Sequence, residues 1–134
     1  MAARSQQDLV CWQRAREVKL LVYRLILTTS ARQDFEFRKQ LRESASAAPR
    51  LIAEGFGRYY PAEFARYLRL ANGELKETIE SLDDGVDRTH FASEQVVPIQ
   101  RLAKRSIRAA SRLAVYLDGA DPPNGLPRGP RRRR

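Results

Sequence analysis

The sequence predicts an all-α protein that folds as an antiparallel up-down four-helix bundle. Apolar residues recur with a helical period along most of the chain, and no alternating strand pattern of useful length competes. Glycine, proline and capping residues separate four such segments. The 134 residues are enough for one domain, so we predict a bundle domain at 1–118 and a flexible, basic tail rich in proline, glycine and arginine at 119–134.

The first helix is predicted to begin at a cap formed by Asp8 and to run to about Thr29. A single apolar stripe follows its helical period. The residues of this stripe, predicted to face the core, are Cys11, Ala15, Val18, Val22 and Leu25.

The second helix is predicted from about Asp34 to Phe56, with Gly55 and Gly57 ending it. Pro49 lies inside this segment, which predicts a kink there or a break near residues 45–48. The residues predicted to face the core are Phe37, Leu41, Ala45, Ala48 and Ile52.

Two longer helices follow. Pro61 is suited to the first turn of a third helix that runs to about Arg88, and a fourth is predicted from about Ser93 to Leu117. The predicted inward residues of the third helix are Phe64, Leu68, Ala71, Leu75, Leu82 and Val86. Those of the fourth are Ile99, Leu102, Ala103, Ala110, Leu113 and Leu117.

The composition favours a protein without catalytic activity. One cysteine and one histidine do not supply the residues of a Cys-based zinc site, a His-rich metal site or most His-dependent catalysis, so we predict no metal and no cofactor. Cys11 is predicted to be a small buried residue, and His90 an exposed turn or cap residue. Glu54, beside Arg58, is the one acid that could serve an enzyme, and a structural ion pair is the favoured interpretation.

The chain is strongly basic, with 25 Lys and Arg against 16 Asp and Glu and a net charge of +9. Because 21 of the basic residues are arginine, anionic partners are the first class to consider. No segment has the length and hydropathy of a membrane span or the pattern of a secretory signal, which predicts a cytoplasmic protein.

A basic ridge is predicted on the outer face of the fourth helix, where several guanidinium groups could follow a phosphate backbone. The alternative is that the ridge pairs with an acidic stripe of the third helix, formed by Glu77, Glu80, Asp84 and Asp87. The arginines of the tail favour nucleic acid or, as an alternative, an anionic membrane surface. The candidate nucleic-acid-binding residues are Arg101, Lys104, Arg105, Arg108 and Arg112 of the ridge and Arg131, Arg132, Arg133 and Arg134 of the tail.

The first and third helices carry more apolar surface than a monomeric bundle needs. Scattered surface hydrophobes would explain it, but its occurrence on two helices favours a subunit interface. The candidate interface residues are Trp12, Tyr23, Tyr67, Leu70 and Gly73.

The stretch from Ile52 to Leu82 resembles the bacterial "four helix bundle protein" family, also called the 23S rRNA intervening-sequence protein family. Some members of that family are encoded inside insertions in the large ribosomal RNA gene. The match begins with the family's I-A-E-G-x-G-R turn and continues through E-F-x-x-F-L and I-A-x-G-S-L-x-E, where this chain has Tyr67 for the second F, Leu70 for I and Glu74 for S. It also has Leu51 for the family's usual asparagine before the turn and Tyr60 for the serine that caps the third helix. The turn elements in this chain are Ile52, Ala53, Glu54, Gly55, Gly57 and Arg58.

The resemblance implies a homopentamer of antiparallel bundles. It also implies kinship with the accessory protein of diversity-generating retroelements, a basic pentamer that binds nucleic acid and a reverse transcriptase. The first hypothesis is therefore a non-enzymatic, oligomeric accessory protein that binds RNA or DNA through phosphate contacts, with a polymerase or reverse transcriptase as a possible protein partner. The alternative is a protein–protein scaffold without a direct nucleic-acid role.

Overall fold

The computed structural model describes residues 3, 5–58 and 60–121, which contain four long α-helices and no strand. The helices are α1 (Val10–Leu27), α2 (Phe35–Phe56), α3 (Pro61–Asp87) and α4 (Ser93–Asp118). Short 3-10 helices at Gln6–Asp8 and Ser30–Gln33 precede α1 and α2. The predicted all-helical class is therefore confirmed.

The four helices form a square bundle. α1 packs mainly against α2 and α4, and α3 packs mainly against the same two helices, so α1 lies diagonally across from α3. Side-chain hydrogen bonds fix the direction of α3 against α4: Arg69 pairs with Asp118 near one end, and Gln100 donates to Asp83 toward the other. The start of α3 thus lies beside the end of α4, and the end of α3 beside the start of α4, so the two helices are antiparallel.

The predicted core stripes are buried in the bundle. Every inward residue predicted for α1 and α2 is buried, including Cys11, Leu41 and Ile52. On the two longer helices, four predicted residues are only half-buried and pack against the edge of the core: Val86, Leu102, Leu113 and Leu117. The helical period therefore located the core, while the exact rotation of α3 and α4 was set by their neighbours.

The start of α1 differs from the prediction. Asp8 belongs to the preceding 3-10 helix, where its carboxylate accepts a hydrogen bond from the Ser5 backbone N–H, and Leu9 stands at the N-cap of α1. The Asp8 side chain thus closes the local turn instead of capping the long helix. By contrast, Asp34 caps α2, since its carboxylate accepts from the Phe37 N–H at 3.4 Å.

The second half of α2 also departs from the prediction. The helix continues through the buried Pro49, so a break near residues 45–48 is wrong. Only Gly57 ends the helix, because Gly55 lies inside it and is buried. A Cβ atom at Gly55 would lie 2.5 Å from Tyr67 Cβ, so this glycine permits the close approach of α3.

Candidate nucleic-acid interface

The basic ridge of Arg101, Lys104, Arg105, Arg108 and Arg112 is exposed along α4. None of the five side chains forms an ion pair with a carboxylate of the described residues within 4.0 Å. From Arg101 to Arg112 the helix rises about 17 Å, about the length of five nucleotides of one strand. The ridge thus presents five charges that can follow a phosphate backbone.

The acidic stripe of Glu77, Glu80, Asp84 and Asp87 forms no ion pair with the ridge among the described residues. Asp84 instead pairs with Arg88 of the same helix end, at 2.8 Å between Oδ2 and Nε. Within residues 5–58 and 60–121, no ion pair joins the stripe to the ridge. The alternative raised by the sequence, pairing within or between subunits, therefore has no ion pair within one chain among these residues, and pairing between subunits stays a prediction.

An open groove of about 590 Å³ runs beside the ridge between α3 and α4. Ile79 and Ile107 line it, and Lys104 and Arg108 of the ridge stand along it. Lys76 adds a third cation from α3, while Glu80 supplies one negative charge. The ridge is therefore one side of a channel that has an apolar lining and a net positive charge.

The predicted tail cannot be placed against the ridge. The described residues end at Asp121, so Arg131, Arg132, Arg133 and Arg134 lie outside them. Gly119 forms the C-cap of α4, as its place after Asp118 in the sequence predicts.

The family turn forms a small polar cluster where α2 passes into α3. The Arg58 guanidinium lies 3.4 Å from Glu54 and 4.0 Å from Glu63, and it donates a 2.7 Å hydrogen bond to the Tyr67 hydroxyl. It also lies 4.9 Å from the centre of the Tyr67 ring. The predicted Glu54–Arg58 ion pair is thus confirmed, and Gly55 and Gly57 shape the backbone around it.

The candidate interface residues lie on two opposite sides of the bundle. Trp12 and Tyr23 of α1 are half-buried and pack against the core, each with an arginine over its ring. On α3, Leu70 is 42% exposed and nothing lies within 4 Å of a Cβ placed at Gly73. Tyr67 is half-buried and held by Arg58. The structure thus leaves Leu70 and Gly73 open and does not bring the α1 and α3 residues together.

His90 is not the exposed turn residue that the sequence suggests. Its side chain is 14% exposed, and its ring shares hydrogen bonds with Ser30 Oγ at 2.8 Å and Asp34 Oδ2 at 2.9 Å. The hydrogen bond with His90, with a smaller contribution from Arg88, holds the pKa of the Asp34 carboxyl below its usual range. The ring also packs against Phe37. His90 therefore ties the connection between α3 and α4 to the start of α2.

Cys11 is buried, as predicted, and desolvation raises the pKa of its thiol to about 11. Among the described residues, no three His, Cys, Asp or Glu side chains come together in a group that could hold a metal ion. None of their helices combines the length and the apolar character needed to cross a membrane.

The structure also reveals a second groove that sequence reasoning missed. It lies between α1 and α2, has a volume of about 280 Å³, and is lined by Tyr23, Phe35, Arg38, Lys39 and Arg42 among others. The sequence could have indicated this groove through the spacing of its α2 residues at i, i+3, i+4 and i+7. This spacing places one aromatic ring, Phe35, and three cations, Arg38, Lys39 and Arg42, on one face of the helix.

No curated protein is significantly similar to the chain. Residues 7–111 match the family described as "23S rRNA-intervening sequence protein", a span that includes the turn between α2 and α3 and most of all four helices. The chain therefore belongs to the 23S rRNA-intervening sequence protein family.

Proposed function

We propose that this protein is a non-catalytic accessory protein that binds RNA or DNA, mainly through phosphate contacts made by the basic ridge. The observation that carries the proposal is the exposure of five adjacent cations on α4 without carboxylate partners among the described residues. Cations that neutralise phosphates release the counterions condensed on the nucleic acid, which favours binding at low salt. Few aromatic side chains lie on this face, where the exposed Tyr116 follows Arg112 by one turn, and we therefore expect little reading of base sequence by this surface.

We further propose that the protein acts as an oligomer. A face on α1 and a face on α3 are diagonal in the bundle, which suits a head-to-tail contact in which one face of a subunit meets the other face of the next. Such contacts form a ring when the rotation between neighbouring subunits closes, and the family resemblance makes a pentamer the expected ring. Several ridges on one assembly would add their positive potentials.

The charge-reversal variant Arg105→Glu/Arg108→Glu tests the ridge. Binding of a fluorescent duplex DNA and a structured RNA is measured by anisotropy across a salt series. We expect weaker binding, and a salt slope for the duplex that is smaller by about 2, since each neutralised phosphate contributes about 0.9. The oligomeric state, measured by light scattering, should stay unchanged.

The matched control is Arg24→Glu/Arg50→Glu, which changes the net charge equally at two exposed positions outside the ridge and outside the candidate interface. An equal loss of binding in this control would mean that net charge alone explains the effect. It would contradict the assignment of the ridge as the binding site. Dissociation of the oligomer in the ridge variant would instead favour the alternative function, a protein–protein scaffold whose ridge makes subunit or partner contacts.

A chain shortened to end at Asp118 separates the ridge from the tail. Salt-sensitive binding that survives shortening supports the bundle as the binding surface. If binding disappears when residues 119–134 are removed, the tail arginines are the binding site, and the assignment of the ridge is contradicted. If neither form binds RNA or DNA at low salt, the nucleic-acid function itself is wrong.

A further inference from the structure

The groove between α1 and α2 combines an exposed aromatic ring with unpaired positive charge. Phe35, the first residue of α2, is 58% exposed although it is one of the largest apolar side chains. Tyr23 lines the same groove from α1 and is half-buried. Other apolar side chains are as exposed, but among the exposed side chains of the described residues Phe35 is the one whose ring lines a groove together with Arg38, Lys39 and Arg42.

Three cations surround the two rings. Arg38 lies 5.3 Å from the centre of the Phe35 ring, and its Nη1 donates a 2.7 Å hydrogen bond to the carbonyl of Arg32, which holds the guanidinium in place. Arg42 lies 5.6 Å from the centre of the Tyr23 ring. Although Glu43 also lines the groove, none of the cations, including Lys39, forms an ion pair with a described carboxylate.

We propose that this α1–α2 groove binds unpaired nucleotides of single-stranded nucleic acid. A base would stack on Phe35 or on the guanidinium of Arg38, while Arg42 and Lys39 bind the flanking phosphates. Aromatic rings beside cations are the usual means by which proteins hold single strands, because every base offers a flat face and every linkage a negative charge.

The inference rests on the proposed nucleic-acid function and adds a substrate class to it. The ridge is on α4, and α4 is diagonal to α2, so the two surfaces are separate. Phosphates are present in duplexes and single strands alike, and the ridge therefore does not distinguish them. Base faces are accessible only in unpaired strands, so the α1–α2 groove would give the protein a preference for single strands.

The test compares two fluorescent twelve-nucleotide ligands, an oligothymidylate and a fully abasic strand with the same phosphates, together with a duplex. For Phe35→Ala we expect about tenfold weaker binding of oligothymidylate, since stacking contributes about 1–3 kcal/mol per base. Binding of the abasic strand and of the duplex should change less than twofold. Phe35→Trp, which keeps an aromatic ring, should retain the affinity for oligothymidylate.

A second variant, Arg38→Glu/Arg42→Glu, should weaken binding of both single strands more than the matched Arg24→Glu/Arg50→Glu variant does. Unchanged affinity of Phe35→Ala for oligothymidylate overturns the inference, and the proposed function stands if Arg105→Glu/Arg108→Glu still weakens binding. Equal losses for the abasic strand and oligothymidylate in Phe35→Ala also overturn it, because stacking is then absent. Binding of polyglutamate that these groove variants abolish would assign the groove to an acidic protein partner instead.

Discussion

At the scale of single residues, His90 shows how a turn residue can become part of the packing. Its ring lies against Phe37 and joins Ser30 to Asp34, two residues that precede α2. Arg88 reinforces the same carboxylate at 3.2 Å. Asp34 thus caps α2 while accepting from two side chains that come from the end of α3, so one carboxylate joins two connections of the bundle.

The charge of Asp34 should make stability depend on pH. Because the folded-state pKa lies below that of the unfolded chain, the stabilisation is present above the unfolded value, about 4, and is lost as the pH falls through the folded value. Asp34→Asn keeps a good cap but removes the charge. We expect a lower urea midpoint at pH 7 and a smaller loss of midpoint below about pH 4 than in the wild-type chain.

Asp87→Asn serves as the control, since Asp87 is an exposed carboxylate at the same end of the bundle. It should leave both the midpoint at pH 7 and the acid dependence close to those of the wild-type chain. An Asp34→Asn chain that loses as much stability on acidification as the wild type would contradict the role given to this carboxylate.

At the scale of helices, period and capping predicted all four elements, and most ends lie within two residues of the expectation. The exceptions arise where tertiary contacts override a local signal. Gly55 is typical of the end of a helix, yet it lies inside α2, where α3 packs closely against it. Pro49 predicts a possible break in the helix, yet α2 is continuous through this buried proline.

Two glycine substitutions should have opposite effects on folding stability. In Gly55→Ala the new methyl group would meet Tyr67 Cβ at 2.5 Å, so we expect a loss of about 1–3 kcal/mol. In Gly73→Ala nothing lies within 4 Å, and alanine's higher helix propensity should add about 1 kcal/mol. Chemical denaturation of each variant, under conditions in which the chain is monomeric, measures both values. Equal effects of the two substitutions would contradict the close approach of α3 at Gly55.

At the scale of the whole molecule, the charges and the apolar faces occupy different sides. The basic ridge lies on α4, the second cationic groove lies between α1 and α2, and the open apolar position Leu70 lies on α3. An assembly through the α1 and α3 faces would therefore leave the ridge on α4 accessible to phosphates. This arrangement makes self-association separable by mutation from nucleic-acid binding at the ridge, whereas Tyr23 belongs both to the candidate interface and to the α1–α2 groove.

Leu70→Arg should weaken self-association without unfolding the chain. The side chain is 42% exposed in the single chain, so its replacement costs little core packing, whereas a charge buried between subunits is strongly unfavourable. Sedimentation measures the mass, and circular dichroism the helix content. Val97→Arg, at a similarly exposed apolar position of α4, is the control. An unchanged oligomer in Leu70→Arg would remove Leu70 from the interface.

The sequence by itself determined the helices, the core stripes and the ridge, because each follows from the period of one helix and needs no knowledge of its neighbours. Only the tertiary structure decided which charges meet. Asp84 pairs with Arg88 and leaves the ridge unpaired, His90 reaches Asp34 across 56 residues of chain, and Tyr23 of α1 joins Phe35 of α2 in one groove. These contacts depend on how each helix is rotated about its axis in the bundle. A rotation of one residue, about 100°, would break them while leaving the sequence pattern the same.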